Sequence, residues 1–272
     1  MGVEDMQMND KGPELLLYNA PGSTCSQRVR FVLAAKNLPF RTQDLDLFAG
    51  DQLKPDYLKL NPNGVVPTLL HNRAVIVDSS VIIEYLDETF PEPENFTPRG
   101  RVERAAMRSL MRFIDEVPAA SIRVPSFNIA FLRFYRNMSL EEFEAHANSK
   151  PIRKDFLLAL GRTGFPQAEM DKAMERLRRA VARMDASIAA HGGVWMLGDR
   201  ITLADIAMMP SIVRMNDLGR ADLWSDHPRV SRWLEAIEAH PAYAKTYHRG
   251  VHLSDRFPEL KTLRTDNLLP TQ

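Results

Sequence analysis

The stretch "PEPENFTP" at 91–98 separates two halves of the chain whose apolar residues repeat with different periods. Prolines at this density continue neither a helix nor a strand ladder. Upstream, short apolar runs alternate with helical stretches. Downstream, nearly every apolar repeat is helical. At roughly 150 residues per domain, a chain of 272 residues suits two domains. We therefore expect a mixed α/β domain over 13–91 and an all-helical domain over 99–256, with 1–12 and 257–272 as flexible tails.

In the first half "ELLLY" (14–18) reads as a buried strand and "STCSQRVRFVLAAKNL" as a helix capped by Ser23 or Thr24, with Val29, Leu33 and Ala34 on one face. "FRTQDLDL" (40–47) reads as a strand, "DQLKPDYLKLNP" (51–62) as a short helix, and "GVVPTLLHNRAVIVD" (64–78) as a hairpin turning at "HNR". "SSVIIEYLDETF" (79–90) closes the half as a helix striped by Ile82, Ile83 and Leu86. The order is βαβαββα. The second half carries helices over 101–117, 139–149, 166–191, 201–217 and 227–247. Ser139 with Glu142, and Thr202 with Asp205, have the spacing of capping boxes.

Charge excludes some partners. Lys plus Arg and Asp plus Glu both number 35, so no global field draws nucleic acid or an anionic membrane. The basic runs "RLRR" and "RFYR" read as solvated helix faces. One cysteine permits no internal disulfide and no thiolate metal site, and the seven histidines show no metal-ligand spacing, so no metal is expected. No apolar run approaches the roughly 18 residues that span a bilayer. A cytoplasmic location is the reading that follows.

Two places invite a ligand. In "NGVVPTLL", Pro67 would remove a ladder hydrogen bond unless the chain turns there, for instance through a cis Val66–Pro67 bond. The backbone of Val66 could then pair with an extended peptide; an ordinary edge-strand proline is the plainer alternative. Asp78 and Ser79 lie at a strand-to-helix junction. The serine hydroxyl and the first free N–H groups suit a carboxylate, and Asp78 suits an amine. A γ-glutamyl group presents both, whereas a simple helix cap would need neither.

"PGSTCSQRVRFVL", "LKLNPNGVVPTLL", "VDSSVIIEYLDETFPEP" and "WMLGDRITLADIAMMP", in that order, resemble the signatures of the soluble glutathione transferase superfamily over about 13–250. The resemblance implies the GST fold: a thioredoxin-like βαβαββα domain followed by an all-α domain. It implies glutathione as cosubstrate, a small hydrophobic or aromatic electrophile as partner, and a homodimer. Glutathione would lie on Val66 before Pro67, with its γ-glutamyl end at Asp78 and Ser79 and its glycyl end at Gln52 or Lys54. Thr202 and Asp205 match the superfamily's folding motif and would be structural.

In the superfamily the first βα loop offers a hydroxyl or thiol to the glutathione sulfur. A thiol of pKa near ~8.5 is mostly protonated at neutral pH, and lowering it by about two units requires roughly 2.7 kcal/mol. One charge-assisted hydrogen bond with a helix N-terminus supplies that order. Ser23, after Pro-Gly, is the first choice as donor; Ser26 or Thr24 are alternatives, and Cys25 could be a nucleophile or a small buried hydrophobe. The Ser-x-Cys-Ser loop resembles the zeta-class maleylacetoacetate isomerases and the tetrachlorohydroquinone reductive dehalogenases, whose cysteine carries glutathione as a mixed disulfide.

The added length over about 119–165 resembles instead the bacterial β-aryl etherase-like transferases, and the zeta class lacks it. Glutathione-dependent β-aryl ether cleavage is the preferred reaction. Isomerisation, reductive dehalogenation and glutathionyl exchange through Cys25 are rivals, and a ligand-binding or structural module without catalysis is the non-enzyme alternative. Met111, Ile114, Asp115, Pro118 and Ser121, on the inner face of the first long helix, are expected to line the electrophile pocket, with Met208 and Met215 closing it or packing the core. Trp195, Trp224 and Trp233 read as core or interface anchors.

Overall fold

The fold is described from a computed structural model over residues 14–261. The expected tail 1–12 and the segment 262–272 lie outside the described residues.

Strand β1 (Leu15–Asn19) is followed by α1 (Thr24–Ala35), β2 (Arg41–Asp44), a 3-10 turn (Asp51–Leu53) and α2 (Pro55–Leu60). Then come the hairpin β3 (Thr68–His71) and β4 (Ala74–Val77), and α3 (Ser79–Thr89). The sheet order is β2-β1-β3-β4, with β2 parallel and β3 antiparallel to β1. Period-2 alternation sorts β1: Leu15 and Leu17 are buried in the main core with Val29 and Phe31 of α1 and Ile82 of α3. Tyr18 faces the other way, its ring 5.4 Å from that of Tyr57 on α2. This is the thioredoxin-like βαβαββα arrangement.

Among the described residues the regular elements of the second half are helices: α4 (Arg101–Glu116), α5 (Pro118–Ser121), α6 (Arg123–Ser126), a π-helical turn (Phe127–Phe131), a 3-10 turn (Leu132–Phe134), α7 (Leu140–Asn148) and α8 (Lys154–Leu160). After these come α9 (Gln167–His191), α10 (Leu203–Asp217), α11 (Pro228–Ala239), α12 (Pro241–Thr246) and α13 (Leu253–Arg256). Both capping boxes form, Ser139 with Glu142 and Thr202 with Asp205. The packed chain runs on past 256. Phe257 and Leu260 are buried in the main cluster, and Arg133 pairs with Glu259 while lying over the Phe257 ring. The short stretch 257–261 is therefore part of the helical layer rather than of a tail.

One core spans both domains, and α1 is its centre. Residues from Ser26 to Leu33 are all buried, because α3, α10 and α12 enclose the helix. The single apolar face expected of α1 is thus only part of its buried surface. Arg28 and Arg30 are buried with it and need partners. Arg28 donates to the Ala207 carbonyl, to Ser79 and Ser80, and to Asp115, fastening α1 to α3, α4 and α10. Lys36, also buried, pairs with buried Asp87 and donates to the carbonyls of Phe90 and Glu94. Asp87 accepts from the Phe96 N–H in turn. The interdomain linker is pinned by this ion pair. Among the described residues no helix is long and apolar enough to cross a membrane.

Candidate active site

The β1–α1 loop is held from two sides. Arg30 donates to the Pro21 carbonyl at 2.8 Å and to Asn19, while Arg214 on α10 donates to the Gly22 carbonyl at 2.6 Å. Burial brings the Arg30 guanidinium down to about 10, with Tyr247 and Asp44 opposing that fall. Ser23 then caps α1: its Oγ accepts from the Ser26 N–H at 3.3 Å. Because the cap uses a lone pair, the Ser23 hydroxyl proton stays free to be donated.

The loop opens on a cavity of about 660 Å³ between the domains. Ser23, Thr24 and Cys25 line it, and so do Gln52 and Val66 from the far wall. Val66–Pro67 is cis, and among the described residues neither the N–H nor the C=O of Val66 has a protein partner. Tyr57 and Asn61 hold the preceding Val65 carbonyl. Gln52 is buried, donates its amide to the Leu47 carbonyl at 3.1 Å and leaves its Oε1 without a partner.

Other expected residues fall elsewhere. Ser26 is fully buried, its Oγ turned toward the Ala20 N–H, so it does not reach the cavity. Lys54 is exposed and paired with Asp51 at 2.7 Å, outside the lining. Pro67 is buried behind Val66. Asp78 and Ser79 lie beyond the rim. Asp78 has φ 73° and ψ 125°, a costly backbone for a non-glycine residue, and its carboxylate caps α3 through the N–H groups of Ser80 and Val81. Ser79 accepts from Arg28.

The five residues expected to line the electrophile pocket do not line it. Met111 and Ile114 are core, packed between α4 and α10. Asp115 is bound by Arg28 at 2.5 Å and Ser80 at 2.6 Å. Pro118 and Ser121 are buried off the cavity. Met208 and Met215 are core as well. The reason is geometric: the helix breaks at Pro118, and the face that meets the cavity begins with Ile122 and Arg123, one turn further on.

What lines the cavity instead comes from the added segment. Phe127, Phe131 and Tyr135 recur every four residues and form its aromatic wall with Phe156 and with Phe48 of the β2–α2 connection. Phe127 meets Phe131 at 5.2 Å and Phe156 at 5.0 Å between ring centres, and Phe48 stacks on Phe134 at 4.0 Å. The i, i+4, i+8 aromatic spacing was the sequence signal for this wall. Burial pushes the Tyr135 phenol far above its ordinary value, so it stays protonated. Burial, with Lys150 nearby, lowers His146, which is neutral at pH 7.

A family model described as "Glutathione S-transferase, N-terminal domain" matches residues 22–89, and one described as "Glutathione S-transferase, C-terminal domain" matches 167–236. Protein LigF of Sphingobium sp. is 29% identical over 246 residues, covering 87% of this chain and 94% of that protein. The crystal structure of β-etherase LigF superposes with a TM-score of 0.75 at 28% identity, covering 85% of this chain and 98% of that one. Maleylacetoacetate isomerase of Pseudomonas aeruginosa is 28% identical over 235 residues, 85% of this chain and 94% of that protein. Glutathione S-transferase Z1 of Arabidopsis thaliana is 32% identical over 242 residues, 88% of this chain and 89% of that protein. Identity at that level along most of both chains, with the two domain matches in order, means that the chain belongs to the glutathione S-transferase family.

Proposed function

We propose that this transferase activates glutathione at Ser23 and directs the sulfur at an aromatic electrophile, with β-aryl ether cleavage as its reaction. The observation that carries the reading is the aromatic wall of Phe127, Phe131, Phe156 and Phe48 in the same cavity as the Ser23–Cys25 loop. The tripeptide's cysteinyl backbone pairs with Val66, and its γ-glutamyl end runs past the rim toward Asp78 and the α3 N-terminus. The Ser23 hydroxyl donates to the thiolate at the positive end of α1.

In the ether reaction the thiolate attacks the carbon bearing the aryloxy group. A C–S bond forms, the C–O bond breaks, and the phenolate leaves with the electron pair. It then takes up a proton equivalent to the one glutathione lost on ionising. The similarity to the β-etherase LigF supports this chemistry.

The test is ultraviolet absorbance of the protein–glutathione complex against pH, followed by chromatography of the phenol released from a β-aryl ether. A thiolate band persisting well below the ordinary thiol range, with phenol release, is expected. An unshifted titration would end the transferase reading; a shifted one without phenol would end only the ether reading.

A second reading rests on Cys25, which lines the same cavity two residues after Ser23. It would serve mixed-disulfide chemistry of the dehalogenase or exchange kind. Under the ether reading, Cys25→Ala keeps at least half of wild-type turnover in that chromatographic assay; a loss beyond tenfold transfers the chemistry to the cysteine.

We extend the reading to a two-fold dimer, with exposed Val75, Val81 and Val102 on β4, α3 and α4 as surface it would cover. Light scattering should give twice the 30.9 kDa chain mass, and a monomer mass would reject it.

A further inference from the structure

Three cations reach the cavity from the added segment, and none has a side-chain partner among the described residues. Lys150, after α7, is 7% exposed, and its Nζ is buried without a hydrogen bond. Arg123 on α6 and Arg153 before α8 line the same cavity, and among the described residues neither guanidinium has a hydrogen-bond acceptor. Burial lowers Lys150. Burial and then Arg123 bring Arg153 down to about 10, while Cys25 acts the other way. Arg123 and Arg153 therefore sit close enough to repel, on the side of the sulfur-presenting loop, and Lys150 lines the same cavity.

Charges already in the cavity do not answer them. Asp44 accepts from Asn19, Asp46 from the Phe48 and Ala49 N–H groups, and Asp51 pairs with Lys54. Arg214 is spent on the Gly22 carbonyl, and Arg256 lies over the Phe257 ring. An ammonium buried without a partner is costly, and one ammonium with two guanidinium forks matches a carboxylate.

We propose that Lys150, Arg153 and Arg123 form a carboxylate-binding subsite inside the cavity, beside the loop that handles the sulfur. The subsite rests on the transferase reading for what enters the cavity. Two carboxylates can reach it: the glycyl end of glutathione, or an acid group on the aromatic electrophile. Gln52 strengthens the first source, since one of its amide N–H groups is committed to Leu47 and its buried Oε1 is an unpartnered acceptor, which does not suit a carboxylate. The aromatic wall adjoining Arg123 strengthens the second.

The test uses the full chain with Lys150→Met, Arg153→Gln and Arg123→Gln. It measures the glutathione Kd by calorimetry, and the ratio of kcat/KM for a chlorodinitrobenzoate to that for the matching neutral chlorodinitrobenzene. The expected change is about tenfold or more per cation, the scale of a charge-assisted hydrogen bond. A weaker glutathione Kd assigns the carboxylate to the tripeptide; a fall in the ratio assigns it to the electrophile. Both quantities within about twofold of wild type in folded variants overturn the proposal. If Lys150→Met does not fold, the two arginine variants, at partly buried positions, carry the same test. If the wild type neither binds glutathione nor conjugates either electrophile, the transferase reading has failed. Calorimetry with a nitrobenzoate then decides the subsite: binding lost in the variants supports it, and no binding overturns it.

Discussion

Asp205→Ala should lower the unfolding free energy by about 3–5 kcal/mol, the scale for breaking a buried charged network. Its carboxylate is fully buried and accepts four hydrogen bonds. Oδ1 takes the Met196 N–H at 2.9 Å and the Trp233 indole N–H at 2.8 Å; Oδ2 takes the Thr202 N–H and hydroxyl, both at 2.9 Å. These tie the start of α10 to the loop after α9 and to α11. Alanine leaves the donors without acceptors, each at about 1–3 kcal/mol if none finds water. Against a total near 5–15 kcal/mol, that is a large share. Asp205→Asn should fall between wild type and alanine. Its one amide oxygen can keep Met196 and Trp233, but its NH₂ then faces the donors of Thr202. Urea unfolding checks both, and a cost below about 1 kcal/mol for alanine would refute the assigned role.

Ser23→Ala should reduce kcat/KM for conjugation about 100-fold, which corresponds to roughly 2.7 kcal/mol. The substitution removes the hydroxyl proton that the proposed mechanism offers to the thiolate, and the acceptor that caps α1 through the Ser26 N–H. The cap alone costs about 1 kcal/mol of stability. The two losses separate because Ser23→Thr keeps both functions, whereas Ser23→Gly costs the cap only a few tenths of a kcal/mol yet removes the donor. Activity in Ser23→Gly close to wild type would mean that another group holds the sulfur. The glutathione thiolate band should shift upward in pH in alanine and glycine and stay low in threonine.

The strand and helix order was legible from periodicity, and so was the hairpin turning after His71. Capping spacing revealed the starts of α7 and α10. Among the site residues, Ser23, Cys25, Gln52 and Val66 do meet on the cavity. These residues sit in local chemistry: a cap, a short turn, a proline after a strand-like run. The electrophile side was not legible in the same way. An inner face of α4 was expected to continue into the pocket, but Pro118 breaks the helix and a π-helical turn follows at Phe127–Phe131. Each irregularity rotates the face, so a period counted from Met111 points at α10 and not at the cavity. Arg28 and Arg30 posed a related problem, since nothing local tells that a helix bearing two arginines will be enclosed on every side.

The sequence by itself determined the period of each element, the caps, and the loop that carries Ser23 and Cys25. These depend on interactions among residues a few positions apart, which composition and spacing encode directly. Only the tertiary structure decided which charges are answered and which are left over. Lys36 finds Asp87 and the linker carbonyls, and Arg28 finds Asp115. Lys150 is buried beside a cavity, and its Nζ has no hydrogen-bond partner among the described residues. Burial of a charge depends on what packs against it from distant parts of the chain, and hydrophobic period states only which side of an element is to be covered.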